Sequence, residues 1–261
     1  MPKAYLSIDD SPTEFTDDLT DWLVEQQIPA ILFVRGERME NNSLPIINAI
    51  QKGLRIGNHL YSHRRSSELS YEEVIEEIEK TEALINEAFQ QAGKERAEKY
   101  IRFPHMDRGT AGWIVDYDQI PERYKNDVES LFWDGLNVSK DKPSAELIEK
   151  KNRLEKWLKN NDFVTPYKDI TFPWYANTEV GQAIDAMYTF STSDWMLTKR
   201  HKDKHQYKTT QDLKRKIDTD PYLHSEDSPN IVLMHDDPEN ILDVTKDLVS
   251  YMKDIKKINF I

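Results

Sequence analysis

Two histidines separated by three residues stand in the segment Gly-Asn-His-Leu-Tyr-Ser-His at 57–63. Imidazoles at this spacing can reach one metal ion from a helical turn or a tight loop. The same spacing occurs at His201 and His205, but that stretch is rich in lysine and poor in apolar residues, which favours a solvent-exposed face. Because an apolar run and a Gly-Asn turn precede His59 and His63, we interpret this pair as metal ligands.

Adjacent carboxylates, Asp9 and Asp10, directly follow the apolar run 4–8. Neighbouring acids repel each other and are costly to bury, so they need a nearby cation or generous hydration. The alternative is a helix N-cap region, since Ser11 and a helical pattern at 14–26 come next. Two imidazoles and one carboxylate leave coordination positions open for water and substrate, which is typical of a catalytic metal site.

The elements that position these residues alternate between strand and helix patterns. Buried-strand runs occur at 4–8, 30–34, 54–56 and 100–103, and helical patterns at 14–26, 44–52 and 71–91. Strands alternating with helices of this length predict parallel βαβ units, as in an α/β barrel or an open sheet. The carboxyl ends of strands carry the chemistry in such folds, and Asp10, His59 and Arg102 all fall at such ends.

The rest of the chain is less regular. Residues 116–175 are rich in Lys, Asp and Glu and include a helical stretch at 144–160. We interpret them as an insertion in one catalytic domain that spans 1–261. Later patterns predict strands at 188–193 and 231–234, a helix at 240–253 and a terminal strand at 258–261. Asp194 and His235 follow the first two of these strands.

Composition excludes several classes of protein. The chain of 261 residues has a net charge of −12 and no basic stripe, which argues against nucleic acid as a partner. It has no cysteine, so disulfides and thiolate metal sites are excluded. No apolar run approaches the length of a membrane span, and no signal-type segment precedes the first strand. We therefore expect a cytoplasmic protein, unless a leader has been trimmed. The oligomeric state stays open.

The motifs together resemble the polysaccharide deacetylase family, the NodB-homology proteins of carbohydrate esterase family 4. Ser-Ile-Asp-Asp-Ser-Pro at 7–12 is similar to the family's Thr-Phe-Asp-Asp-Gly-Pro, and Ile-Gly-Asn-His-Leu-Tyr-Ser-His at 56–63 to its Ile-Gly-Asn-His-Thr-x-Ser-His. Residues 101–104 resemble its Arg-x-Pro motif, 193–195 its Asp-Trp motif and 231–236 its Leu-x-His-Asp motif. The order of the motifs is also that of the family.

This resemblance covers residues 3–105 densely and 188–261 more thinly. It implies a distorted (β/α) barrel of the NodB type that hydrolyses amides. The implied metal ligands are Asp10, His59 and His63, and the implied ion is Zn²⁺, with Co²⁺, Ni²⁺ or Fe²⁺ as alternatives.

The resemblance also implies catalytic roles. Asp9 would be the general base, Arg102 would orient it, and Asp194 would pair with Arg102. His235 would be the general acid, with Leu233 lining its pocket. The residues also have purely structural alternatives: Arg102 as the anchor of a surface carboxylate, His235 as a core histidine and Asp194 as a turn cap.

The chain departs from the family pattern in two motifs. Ser11 stands where the family usually has Gly, a change that a turn can absorb. His105 stands where the family usually has Tyr; its backbone N–H would still serve the oxyanion, and its ring has no assigned role. Trp195 of the Asp-Trp motif is a candidate substrate contact. Aromatic residues of the middle region would form either a sugar-stacking platform or a local core: Trp113, Trp133, Trp174 and Tyr175.

Several functions are compatible with these motifs. The leading hypothesis is deacetylation of N-acetylated amino sugars in an oligosaccharide, glycolipid or glycan. A second is hydrolysis of a small non-sugar amide or cyclic imide, as in allantoinase-like relatives. A third is a non-catalytic carbohydrate-binding domain, which would need neither Asp9 nor His235. A non-haem iron oxygenase also uses two His and a carboxylate, but the strand–helix alternation does not favour one.

Overall fold

The computed structural model describes residues 1–133 and 141–261. Within these residues one parallel sheet has six strands. The strands are β1 (Lys3–Ser11), β2 (Ala30–Val34), β3 (Arg55–Asn58), β4 (Phe190–Ser191), β5 (Asn230–His235) and β6 (Asn259–Phe260). Their order is β3-β2-β1-β5-β4, and β6 pairs with β1. The predicted α/β class is confirmed, because every strand pair is parallel and helices connect the strands.

β1 lies in the middle of the sheet, so its carboxyl end has a neighbour on each side. Asp9 lies opposite Phe33 on β2 and His235 on β5. The sheet continues beyond β3 through isolated parallel bridges, between Asn58 and Ile101 and between Lys99 and Phe163. The strand predicted at 100–103 is thus a single bridge, because the chain turns into a 3-10 turn at Pro104–Met106 and proline has no N–H to donate.

The helices carry the labels α1 to α10 in chain order. They are α1 (Thr16–Glu25), α2 (Gly36–Asn41), α3 (Leu44–Gln51), α4 (Tyr71–Ala92), α5 (Glu122–Trp133), α6 (Ala145–Asn160), α7 (Pro173–Ala176), α8 (Glu179–Gln182), α9 (Thr210–Thr219) and α10 (Leu242–Ser250). Ser70 caps the N-terminus of α4 in a capping box with Glu73. The helix ends at Gly93, whose φ of 66° lies in the left-handed region that favours glycine.

The sequence patterns missed five of these helices: α2, α5, α7, α8 and α9. α2 is only one and a half turns long, too short for a helical period to be visible. α9 lies in the polar segment after the lysine-rich stretch and buries only Leu213 and Ile217, four residues apart. Two apolar positions on one helix face give a weak periodic signal.

The two faces of the sheet bury different partners. Leu6 and Ile8 of β1 point to a core formed with the flanking helices, for example with Leu19 and Leu248. The opposite face joins a second core of strand residues and middle-region residues: Ile31, Phe33, Ile231, Leu233, Ile114, Tyr167, Trp174 and Tyr175. Asp9 alternates with Ile8 and lies on this second face. The middle region therefore covers the face of the sheet that carries the candidate base.

Burial decides how the aromatic residues of the middle region are used. Trp174 is 2% exposed and stacks on Phe172, while Trp113 and Tyr175 are also buried. These three side chains pack in the core, so the stacking-platform alternative is wrong for them; the Trp133 side chain lies outside the described part. The extent of the insertion and of the single domain stays a prediction. In the described residues no helix is long and apolar enough to cross a bilayer.

Candidate active site

The two predicted metal-binding segments meet at the carboxyl end of the sheet. Asp10 is the second-last residue of β1 and has a φ of 74°, and His59 follows β3 directly. Ligand atoms of Asp10, His59 and His63 all lie within 4.8 Å of one another. Nε2 of His63 is 3.1 Å and Nε2 of His59 is 3.8 Å from Oδ1 of Asp10. The chain thus brings together the three groups that the sequence assigns to one ion.

The protonation states of this cluster suit a divalent cation. Nδ1 of His59 donates to the carbonyl oxygen of Arg102 at 2.7 Å, which leaves Nε2 as the free ligand atom. Burial lowers the pKa of His59 and of His63 to about 3, so both imidazoles are neutral near pH 7, as metal ligands must be. Burial would raise the pKa of Asp10, but nearby positive charge holds this pKa below its ordinary value. The imidazole of His63 contributes most to this lowering, followed by other imidazoles and Arg38.

One atom of the cluster has no hydrogen bond. Oδ1 of Asp10 is buried, and among the described residues no donor satisfies it. An unsatisfied buried carboxylate oxygen costs free energy, whereas a coordinated ion would satisfy it. The donor set therefore fits a divalent metal.

Arg102 holds the second carboxylate. Its Nη1 atom donates to Oδ1 of Asp9 at 2.8 Å and to Oγ of Ser7 at 3.0 Å, while Nε donates to the carbonyl of Ala186 at 2.7 Å. Its guanidinium lies over the ring of Phe33. Burial raises the pKa of Asp9, and the charge of Arg102 opposes this shift. The other oxygen of Asp9 faces the metal cluster, 3.6 Å from Nε2 of His59.

Asp194 holds His235 and not Arg102. Oδ1 of Asp194 accepts from Nδ1 of His235, and Oδ2 accepts from the backbone N–H of the same residue, both at 2.8 Å. The pairing of Asp194 with Arg102 that the resemblance implies is therefore wrong, because both oxygens of Asp194 are directed at His235. Burial would lower the pKa of His235, but Asp194 and then Asp10 and Asp9 raise it to about 9.

The remaining predicted residues lie around this centre. His105 is exposed, with its ring edge-on to the ring of His63 and Nε2 3.3 Å from the His63 carbonyl. The ring of His105 is not part of the ligand cluster among the described residues. Leu233 is buried opposite Ser7 on β1, and Trp195 is half-buried in the 3-10 turn that begins at Asp194.

The second histidine pair is not simply solvated. His201 and His205 lie 3.2 Å apart (Nδ1 to Nε2) and both contact Trp195 edge-on. Both are only half-exposed, so their interpretation as a solvated face is wrong in part. They form an aromatic cluster with Trp195, the residue that follows Asp194 in the chain.

Asp236 is a buried residue of the site to which the sequence reasoning gave no role. It accepts hydrogen bonds from Ser11 at 2.9 Å, from Thr13 at 2.6 Å and from Thr16. Ser11, which replaces the family's Gly, is thus bonded through its hydroxyl. The signal available in the sequence was the position of Asp236 directly after His235, and it does not reveal the three hydroxyl partners.

Comparison with known proteins identifies a family and several relatives that part of the chain resembles. The family model for polysaccharide deacetylases matches residues 1–111. A peptidoglycan-N-acetylglucosamine deacetylase of Bacillus cereus is 35% identical over 136 residues, covering 51% of this chain and 47% of the relative. A chitooligosaccharide deacetylase of Sinorhizobium fredii is 30% identical over 105 residues, covering 40% of this chain and 47% of the relative.

The likeness in fold extends over almost the whole chain. A crystal structure of a peptidoglycan N-acetylglucosamine deacetylase superposes with a TM-score of 0.58 at 18% identity, covering 99% of this chain and 85% of the other. The NodB-type fold implied by the motifs is confirmed. The chain spans about half the length of the curated relatives it matches.

Proposed function

We propose that the chain belongs to the polysaccharide deacetylase family, whose model matches residues 1–111, and that it is a metal-dependent hydrolase of N-acetylated amino sugars. The names of two relatives, a peptidoglycan-N-acetylglucosamine deacetylase and a chitooligosaccharide deacetylase, support this substrate class. The observation that carries the proposal is the convergence of Asp10, His59 and His63 on a buried, unsatisfied carboxylate oxygen. The substrate would be an oligosaccharide, glycolipid or glycan.

The metal would be held by Asp10, His59 and His63. Zn²⁺ is our first candidate, since two imidazoles and a carboxylate with open positions are typical of catalytic zinc; Co²⁺, Ni²⁺ and Fe²⁺ are alternatives. Such an ion supplies Lewis acidity that polarises an acyl oxygen and lowers the pKa of water.

Asp9 is the proposed general base. Its Oδ2 faces the ligand cluster, and its Oδ1 is fixed by Arg102, so one oxygen is oriented and the other is available for a proton. As the oxygen of water bonds to the acyl carbon, Asp9 would take the proton that the water loses. Burial raises the pKa of Asp9, and the charge of Arg102 opposes this rise and so favours the ionised form that can accept a proton.

His235 is the proposed general acid. Asp194 fixes Nδ1 as a donor and holds the imidazole protonated at neutral pH, which leaves the Nε2 proton for the departing amine. When the carbon–nitrogen bond breaks, His235 protonates the nitrogen and the acyl group leaves as a carboxylic acid. The backbone N–H of His105 would help to hold the developing negative charge on the acyl oxygen.

Acetate release tests the proposal. Purified protein loaded with Zn²⁺ or Co²⁺ is incubated with N-acetylglucosamine oligomers, and released acetate is measured with the Asp9→Asn variant as control. Acetate from the wild type alone supports the proposal. Release of a carboxylate only from small amides or cyclic imides would favour the allantoinase-like alternative. Metal binding and sugar binding without any hydrolysis would favour a non-catalytic member of the fold.

A further inference from the structure

Arg35 lies between the two segments that carry the proposed metal ligands. Its backbone N–H donates to the carbonyl of Ser11, one residue after Asp10, at 2.9 Å. The next N–H, of Gly36, donates at 3.0 Å to Leu60, the residue after His59. A side chain at Gly36 would collide with Thr81 and Tyr61, since an added Cβ would lie 2.5 Å and 2.6 Å from them. The backbone around Arg35 is therefore fixed at the edge of the site.

The guanidinium of Arg35 is poorly satisfied. Its side chain is 18% exposed, and its Nε atom is buried without a hydrogen-bond partner among the described residues. Its nearest carboxylate is Glu37, at 3.7 Å, which is itself half-exposed. An exposed partner at this distance contributes little. Burying a guanidinium whose hydrogen-bond donors are not all satisfied is unfavourable unless another group binds it.

The backbone hydrogen bonds of Arg35 and Gly36 place Arg35 beside the residues that directly follow Asp10 and His59. Burial, and after it Arg38, lowers the pKa of Arg35, while Asp10 raises it. Arg38 itself donates to the carbonyls of Asp10 and Asp236, so its position next to Asp10 is fixed. Arg200, by contrast, already forms a hydrogen-bonded pair with Asp237. Of these arginines, Arg35 is the one with an unsatisfied buried N–H.

The positive charge of Arg35 repels a metal ion bound nearby. Its presence is therefore unfavourable for metal binding unless Arg35 has another function. A planar guanidinium recognises carboxylate and phosphate oxygens with paired hydrogen bonds. We propose that Arg35 binds an anionic substituent, a carboxylate or a phosphate, carried by the sugar substrate next to the amide that is cleaved. The inference rests on the proposed deacetylase function and narrows its substrate to acidic N-acetylated sugars.

The test compares three tetrasaccharides. The first is a neutral tetramer of N-acetylglucosamine, and the second alternates N-acetylglucosamine with N-acetylmuramic acid, which bears a carboxylate. The third is a tetramer of N-acetylglucosamine phosphorylated at O6. We expect the wild type to prefer an anionic tetramer in kcat/KM. This preference should fall about tenfold or more in Arg35→Gln, because a hydrogen-bonded charge pair is lost. Arg35→Lys keeps the charge without the fork and should give an intermediate ratio. Whichever anionic tetramer shows the effect identifies the group as a carboxylate or a phosphate.

The matched control is Arg153→Gln, which removes an arginine that is 50% exposed and faces Glu72 on α4. Its ratio of anionic to neutral kcat/KM should equal that of the wild type. Circular dichroism melts establish that each variant is folded. An equal ratio in Arg35→Gln and the wild type would overturn the inference, even if both enzymes are active.

A binding measurement separates this inference from the proposed function. Calorimetric titration of the metal-loaded protein with the same tetramers needs no turnover. If the wild type hydrolyses none of them, the proposed function fails, yet tighter binding of an anionic tetramer that is lost in Arg35→Gln still supports the anion site. Equal affinity for neutral and anionic tetramers would reject it.

Discussion

Nη1 of Arg102 lies 2.8 Å from Oδ1 of Asp9, and both side chains are almost fully buried. The carbonyl oxygen of the same Arg102 accepts from Nδ1 of His59. One residue thus orients the proposed base through its side chain and a proposed metal ligand through its backbone. Arg102 directly follows Ile101, which forms an isolated parallel bridge with Asn58 of β3. This short extension of the sheet therefore positions Arg102 for its contacts with Asp9 and His59.

Replacing Arg102 with Met is expected to damage both stability and turnover. Asp9 would be left as an unpaired buried acid, with a loss of about 3–5 kcal/mol of stability when one partner of a buried pair is removed. Since Arg102 opposes the rise in the pKa of Asp9, its loss should move the acidic limb of the pH profile of kcat/KM to higher pH. Denaturant unfolding and pH–rate profiles measure the two effects.

The exposed Arg153→Met variant is the control for this change and should leave both measurements as in the wild type. A folded Arg102→Met protein with an unshifted acidic limb would contradict the role of Asp9 as the base whose pKa Arg102 sets.

The two histidine pairs of the chain allow a matched test of metal binding. His59→Ala removes a proposed ligand, while His201→Ala removes a histidine of the same spacing that contacts Trp195. Loss of an outer partner of a ligand typically costs about 10–100-fold in metal affinity, so loss of the ligand should cost at least about 100-fold. Elemental analysis after dialysis should find metal in wild type and His201→Ala only. Equal metal content in both variants would contradict the assignment of Asp10, His59 and His63 as the metal ligands.

Much of this site could be predicted because parallel strands end at one edge of a sheet. That rule places Asp10, His59 and Arg102 together without any knowledge of the loops. The partner of Asp194 could not be predicted in this way, since it depends on the register of β4 against β5 across a segment with no periodic pattern. Likewise, the polar sequence of residues 201–205 did not indicate that His201 and His205 pack against Trp195.

Asp194→Asn is expected to change the basic limb of the pH profile. Asp194 raises the pKa of His235, which is about 9, so the amide should lower it. A general acid works only while protonated, and activity should therefore begin to fall at lower pH in the variant than in the wild type. The variant should lose most activity at pH 8 and least at pH 6. Unchanged profiles would argue that His235 does not act as the acid.

The same pair predicts a pH dependence of stability. The folded-state pKa of His235, about 9, exceeds its ordinary value of 6.5, so the folded protein binds the proton more tightly. This contribution is fully present below about pH 6.5 and is lost as the pH rises through 9. Asp194→Asn should therefore reduce the free energy of unfolding more at pH 6 than at pH 10. Denaturant midpoints at both values measure it, and equal losses would contradict the linkage.

Asp236→Ala tests how the loop after β1 holds the metal ligand. Asp236 accepts from the hydroxyls of Ser11, Thr13 and Thr16, and its backbone N–H donates to the Asp9 carbonyl. Leaving such buried hydroxyls without an acceptor costs about 1–3 kcal/mol each before relaxation.

We expect Asp236→Ala to lower the unfolding free energy by at least about 3 kcal/mol and to weaken metal affinity, because Ser11, the last residue of β1, adjoins Asp10. Asp236→Asn keeps an acceptor oxygen and should lose less of both. Denaturant unfolding of the metal-free protein separates the loss of stability from the loss of metal binding. If Asp236→Ala binds the metal as tightly as the wild type does, the loop after β1 does not depend on Asp236 to position Asp10.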